Sequence, residues 1–463
     1  MINNTSKSRR SLGLRLTIIT LAIAIIAGLL IWAVVVELNK ENSPYPTKEE
    51  LTALVEGGYP AEAKNIAEAL SAWGFVNFDK NALVTVEHCY KSHYYTSIDK
   101  SDAEIACGTA TGFIEDAYDI VDLSESESVT NALANCYIRY GIGDKYGEYR
   151  TKTEQEIYSD DMSGQLVGIG ITVTKTEDNG IIVNSTLKGS PAEKAGILAG
   201  DIITAVDGEL ISKVGYSKGV NLIRGEEGSQ VVIRVLRLGT EADITVTRQK
   251  VVESTVFYEM LEGRLGYIQI TRFKANTAEQ FTKALDTLVA EGAEGILFDL
   301  RSNPGGLLSA VTDMLSYLAP SGTEIASFSS TKETVVAKHG TELEKTDNIY
   351  TLPCVVLIDN FTASAGELFT AGVRDFSEMG FFDAVIAGQK SFGKGVMQSN
   401  ITFTDGSALT ITTALYNPPS GVNYNDIGIS PDEGKEFPPE KDQIALALTE
   451  LKALIAAAEQ KAA

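Results

Sequence analysis

Apolar and polar positions change rhythm several times along this chain, and each rhythm predicts a different kind of structure. Residues 16–36 carry no charge and are dominated by Ile, Leu, Ala and Val. Wound as a helix, such a run spans about 31 Å and crosses the hydrocarbon core of a bilayer. Pro44 and Pro46 then mark residues 37–46 as a linker. Helical spacing follows over 47–57, opened by Thr47 and Glu50 in capping-box positions, and over 60–73, with Pro60 suited to a first turn. A further helix is predicted over 129–140, so residues 47–150 read as a helical module.

Between about 164 and 249 the pattern shortens to β runs punctuated by turn residues. Residues 167–174 alternate toward a hairpin turn at Asp178-Asn179-Gly180, 181–185 return, and Ser190-Pro191 start a short helix ending at Gly196. A strand over 201–206 leads to the Asp207-Gly208 turn, a helix covers 216–223, and 231–236 pairs with 244–248. A small, strongly bent sheet with two helices is implied over 163–253. From 265 onward, strands at 266–271, 295–300 and 354–358 alternate with helices at 277–291, 306–318 and 365–376, which predicts a mixed sheet covered by helices over 254–435. A helical segment over 436–463 closes the chain.

The flanks of the apolar run give it an orientation. Lys7, Arg9, Arg10 and Arg15 lie in a tail, residues 1–15, without an acidic residue, and the positive-inside bias puts that tail in the cytoplasm. The reading is a single-pass signal anchor in a bacterial cell membrane with the remainder extracellular; a cleaved signal peptide is the alternative, against which stands the length of the run. With 44% apolar and 22% charged residues the remainder is globular rather than disordered. The net charge of −23 argues against a nucleic acid partner. Cys89, Cys107, Cys136 and Cys354 are too few for a disulfide framework, although Cys89 and Cys107 could pair outside the cell. His88, Cys89 and His93 are close together in sequence but lack a second ligand cluster, so a polar loop is expected there and no metal or cofactor.

The chemistry concentrates in the last third. Ser364, in Thr362-Ala363-Ser364-Ala365-Gly366-Glu367, follows a buried strand and begins a helix. With Glu367 three residues on it is a capping box, and it is equally placed to attack a carbonyl beside the free N–H groups of the first helical turn. Lys394 lies between Gly393 and Gly395, with Phe392, Val396 and Met397 as apolar surroundings. A surface turn is one reading; a base is the other, since burial favours the neutral amine that a base must be. The chain has three histidines, His88, His93 and His339, so a Ser-His-Asp triad is poorly provided for. After a strand end, Asn303-Pro304-Gly305-Gly306 form a turn that exposes the N–H groups of two glycines.

Two resemblances carry the reading further. Val167-Gly168-Ile169-Gly170-Ile171, Gly189-Ser190-Pro191-Ala192-Glu193-Lys194-Ala195-Gly196 and Gly200-Asp201-Ile202-Ile203 resemble a PDZ domain, in which the first segment would bind a terminal carboxylate through backbone N–H groups. With Asp144-Lys145-Tyr146-Gly147, Asn221-Leu222-Ile223-Arg224-Gly225, Leu409-Thr410-Ile411-Thr412-Thr413 and Gly428-Ile429-Ser430-Pro431-Asp432, the chain resembles a carboxyl-terminal processing protease of the S41 family over about 143–442. The resemblance implies a multidomain α+β protein with a crotonase-like α/β protease core, protein substrates with exposed C-terminal tails, and a homo-oligomer through the N-terminal helices. Ser364 would be the nucleophile, Lys394 the general base and Gln398 its orienting partner, with Gly305, Gly306 and Ala365 serving the oxyanion. The chain departs from the family in a longer Ser-to-Lys spacing, with Ser377-Glu378-Met379-Gly380-Phe381-Phe382 as the excess, and in Gly366, where serine is common. A catalytically inactive membrane-tethered PDZ scaffold, and a ligand carrier on the same core, are the competing functions.

Overall fold

The computed structural model describes residues 45–176, 180–330, 334–338 and 350–462. The basic tail, the apolar run 16–36, most of the linker, Asp178, Asn179 and His339 lie outside the described residues. Among the described residues, no helix is long and apolar enough to cross a membrane. The chain divides into two compact units, one comprising residues up to Ser92 together with Ile98–Tyr149, the other His93–Ser97 with Arg150–Ala463.

The first unit is helical. Thr47 and Glu50 form the predicted capping box at the start of Lys48–Glu56. Pro60 does not open a helix; the next one is Ile66–Ala72, capped by Asn65, whose side chain accepts from the Glu68 N–H at 2.9 Å. The predicted helix near 129 runs over Ser126–Cys136 and continues as the wider turns of Tyr137–Ile142. His88, Cys89 and His93 do not lie in a loop, as expected, but on the helix Lys80–His93, which buries Leu83, Val86, Cys89 and Tyr90 along one face. Their spacing puts these residues on one stripe, and packing that stripe outweighs the polar look of the segment. All four cysteines are free.

In the second unit, Ile171–Lys175, Ile181–Thr186, Ile202–Val206, Gln230–Arg237 and Thr240–Thr247 form one sheet in that order, closed by the helices Pro191–Ala195 and Ile211–Ile223. The longer helix contains a break at Gly215, with φ 80° and ψ 170°, so its regular part begins at Tyr216 as the pattern predicts. Ile169, Ile181, Ile203, Ile211, Val231 and Ile233 fill the core between sheet and helices. This domain is an insertion. The chain enters it through Gln165–Gly168 and leaves through Gln249–Val252, and these two strands pair antiparallel, among the described residues with each other alone.

The remaining part is a five-stranded sheet in the order Val256–Leu261, Leu265–Ile270, Gly295–Asp299, Cys354–Ile358, Ala384–Gly388. The first two strands are antiparallel and the rest parallel. Every residue of the two middle strands is buried, as expected for strands covered on both faces. Thr277–Ala290, Leu308–Leu318 and Ala365–Glu378 cover one face around Phe281, Phe298 and Phe369, while Gln443–Ala462 packs Ala447 and Leu451 on the other against Leu297, Val355 and Leu357. The strands Val396–Thr402 and Ala408–Asn417 form an antiparallel hairpin, and the latter also pairs with Glu324–Ser329.

Candidate active site

Three parallel strands end side by side at Asp299, Ile358 and Gly388, and the loops leaving them are stitched together by groups that each loop supplies to the next. Fully buried Asp299 accepts from the Arg301 main chain at 3.1 Å, from the Arg301 guanidinium at 2.9 and 2.7 Å and from the Tyr267 hydroxyl at 2.9 Å. Burial, reinforced by Asp299, pushes the Tyr267 hydroxyl up, so it remains a donor. In the next loop Asp359 accepts from the Ser302 N–H at 2.9 Å, and the Thr362 hydroxyl donates to the Leu300 carbonyl at 2.8 Å. The Ala363 N–H reaches the Asn303 carbonyl at 2.9 Å, and the Phe392 N–H, from the third loop, reaches the Thr362 carbonyl at 3.0 Å. The result is a rigid floor at the carboxyl ends of the sheet, the usual position for a site in an open α/β fold.

Ser364 sits on this floor with φ 56° and ψ −119° at the start of the helix Ala365–Glu378. A left-handed φ on a residue with a Cβ costs of order 1–3 kcal/mol and persists only where surrounding bonds enforce it. Those bonds come from Glu367, which is fully buried. One of its oxygens, Oε2, accepts from the Ser364 N–H at 2.9 Å and from the Lys394 N–H at 2.7 Å; the other, Oε1, accepts from the Ser391 hydroxyl at 2.5 Å and the Gly393 N–H at 2.6 Å. Serine and lysine main chains therefore end on a single oxygen atom. Ser391 passes the connection on by accepting from the Ile429 N–H at 2.7 Å, and the Tyr416 hydroxyl donates to the Lys394 carbonyl at 2.5 Å. Both Ser364 and Lys394 are half-buried, so each keeps part of its surface open to solvent.

Residues 264–434 match peptidase family S41 and residues 167–247 match the PDZ domain family. The segment that carries Ser364 and Lys394 is thus a peptidase family S41 domain. The chain is 34% identical over 291 residues to a probable CtpA-like serine protease of Staphylococcus haemolyticus, an alignment covering 63% of this chain and 57% of that one. It is 32% identical over 324 residues to a probable CtpA-like serine protease of Staphylococcus aureus strain COL, covering 69% of this chain and 63% of the relative. The chain thus spans less than two thirds of the length of these curated relatives. A solved photosystem II D1 C-terminal processing protease superimposes with a TM-score of 0.44 and 24% identity, covering 78% of this chain and 93% of that one.

Within the S41 domain, Gly305 and Gly306 adopt φ of 96° and 145°. A Cβ on Gly305 would lie 2.7 Å from the Ser364 Cβ and 3.0 Å from the Ala365 nitrogen, so the glycine turn lies against the serine and the first helical N–H. The Gly305 N–H itself donates to Asn303 Oδ1 at 2.8 Å. Gln398 follows a bulge in its strand, and its amide nitrogen donates to the Val396 carbonyl at 3.3 Å and the Thr412 hydroxyl at 3.4 Å, neither of them the lysine. Phe392, expected to help bury Lys394, is 59% exposed, whereas Val396 is buried and the half-buried Met397 packs against the core. The excess segment after Ser364 ends the helix and returns Phe381 and Phe382 to the core against Phe376. Reading the sequence missed what Glu367 does, because its other partners lie 24, 26 and 27 residues further on.

In the PDZ domain, Val167 and Gly168 belong to the entry ribbon, paired with Lys250 and Gln249. Ile169 is buried in the core and its carbonyl accepts from the Ala192 N–H at 2.8 Å, while Gly170, at φ 76°, packs against Ser190. Ile171 begins the strand Ile171–Lys175, which lies at the end of its sheet with the helix that carries Tyr216 beside it. The Tyr216 hydroxyl donates to the Val173 carbonyl of that strand at 3.3 Å.

Proposed function

We propose that this chain is a serine endopeptidase, anchored through residues 16–36 on the outer face of a bacterial membrane, that holds exposed C-terminal tails in its PDZ domain and cuts them through an acyl-enzyme. The single observation that supports the dyad is the shared Glu367 Oε2, which brings the main chains of Ser364 and Lys394 to one atom. The neutral Lys394 amine takes the Ser364 Oγ proton as Oγ bonds to the scissile carbonyl carbon. The oxyanion receives the Gly306 and Ala365 N–H groups, since that of Gly305 is given to Asn303. Collapse breaks the C–N bond, the lysine ammonium protonates the leaving amine, and water, deprotonated by the same lysine, hydrolyses the ester. Gln398 reaches Lys394 by giving up its two long bonds to Val396 and Thr412.

The tail reading is supported by the end strand Ile171–Lys175, where an extended peptide can add as a further strand and place its carboxylate at Ile169-Gly170. The names of the Staphylococcus relatives agree with a serine protease. The test uses a model substrate with a free C-terminal carboxylate and the same substrate as its C-terminal amide. Wild type cuts the acid faster than the amide, and Ser364→Ala and Lys394→Ala each lower turnover by about 10³ or more with folding retained, because nucleophile and base act as one unit. Wild-type turnover in a folded Lys394→Ala variant rules out the lysine as base, and absence of any cleavage by wild type favours the inactive scaffold.

A further inference from the structure

A lysine without solvent exposure stands where the PDZ insertion joins the S41 core. The Lys274 side chain is 1% exposed, and its Nζ donates to Asp161 Oδ1 at 2.8 Å and Glu253 Oε2 at 2.6 Å. Asp161 belongs to Lys152–Ser163, the helix that leads into the insertion, and Glu253 follows Gln249–Val252, the strand that leads out. Arg272 adds a second cation to Asp161 at 3.2 Å. The following residues grip the same two passages: the Ala275 N–H donates to the Met162 carbonyl at 3.0 Å, and the Asn276 amide donates to the Gly164 and Glu253 carbonyls, both at 3.0 Å. Gly164 has φ 66°, and a Cβ there would lie 2.3 Å from Asn276 Oδ1, so the fit is close.

The residue before Lys274 holds the oxyanion turn. The Phe273 N–H donates to the Gly305 carbonyl at 3.0 Å, and its carbonyl accepts from the Leu307 N–H at 2.7 Å, so the main chain of one residue brackets Gly306 from both sides. A Cβ on Gly306 would lie 2.0 Å from the Phe273 oxygen, so a residue with a side chain does not fit between them. One five-residue segment, Arg272 to Asn276, therefore has the side chains of Arg272, Lys274 and Asn276 on the PDZ passages and the main chain of Phe273 on the turn that faces Ser364.

We infer that Lys274 is a positioning residue: by drawing the two acidic passages of the PDZ insertion onto one buried cation, it fixes the Phe273 peptide and with it the Gly306 N–H. It touches no substrate, so its loss alters the rate of acylation and leaves the affinity for a small substrate unchanged. The inference rests on the proposed role of Ser364. The test measures labelling of Ser364 by a fluorophosphonate, in which Oγ bonds to phosphorus and fluoride leaves, and kcat and KM for a small chromogenic ester without a C-terminal tail. In the full chain, Lys274→Met slows labelling and lowers kcat by about tenfold or more while KM stays within about twofold, because misplacing a donor by a fraction of an ångström acts on the transition state. Should that variant fail to fold, the Asp161→Asn/Glu253→Gln double variant, which keeps the lysine and removes what it holds, gives the same fall in kcat. Wild-type labelling of a folded Lys274→Met, wild-type kcat in a folded double variant, or a rise in KM alone overturns the inference while the dyad stands. Failure of wild type to label at Ser364 overturns both.

Discussion

Glu367 has no exposure to water, and four donors converge on its two oxygens. A glutamine in its place keeps one acceptor and turns an NH2 group toward two of those donors. Each buried donor left without an acceptor costs about 1–3 kcal/mol. Glu367→Gln therefore lowers Tm in calorimetry and, because Ser364 and Lys394 lose their common anchor, lowers kcat by about 10²-fold; unchanged turnover would remove Glu367 from the site. Ser364 itself was legible in the sequence, since strand, turn and helix start are local signals. Glu367 was legible only as a cap, because nothing local says that the same carboxylate also gathers a loop far along the chain. The glycines at 305 and 306 were legible as a turn, whereas the commitment of one of their two N–H groups to Asn303 appears only when the loop is folded.

Elements were read well where period and punctuation agreed and poorly where one of them misled. Lys80–His93 carries its buried residues at helical spacing, but His88, Cys89 and His93 drew attention to polarity rather than period. Val256–Leu261, the end strand of its sheet, buries only its first residue and so shows little alternation. The PDZ elements had turn residues at nearly every boundary, but the sequence did not reveal a charged pair beside their sheet: Asp201, 1% exposed, accepts two bonds of 2.6 Å from the Arg237 guanidinium. The Arg237 hydrogen bonds hold the Asp201 carboxyl below the usual carboxylate range. A carboxyl lowered in the folded state contributes stability at pH above its unfolded value, near 3.9, and loses that contribution as pH falls through the lowered one. Asp201→Asn consequently lowers the Tm of the domain at pH 7, and the gap from wild type narrows below about pH 4. Melting curves across that range check it, and a gap that stays constant into acid refutes the assignment.

At the scale of the whole molecule, the proposed anchor turns on residues 16–36 and the cations before them. Protease added to intact cells expressing the chain is expected to degrade everything beyond the linker, and degradation only after permeabilisation would reverse the orientation. The sequence made the succession of helical module, PDZ domain and S41 core legible because their periodicities differ; the joints between them were not, since a joint is made of contacts and not of pattern. One such joint has a consequence for modularity. The Glu253 N–H donates to the Gly164 carbonyl at 3.0 Å, so the insertion's two ends are already hydrogen-bonded neighbours on the core. Removing 165–252 would leave a gap that a short turn can bridge with little closure entropy, and a different small domain whose termini lie side by side could be received at the same place. The S41 part of this chain is thus built as a socket, and under the proposed function the module that does the recognising can be exchanged without rethreading the fold proposed to do the cutting.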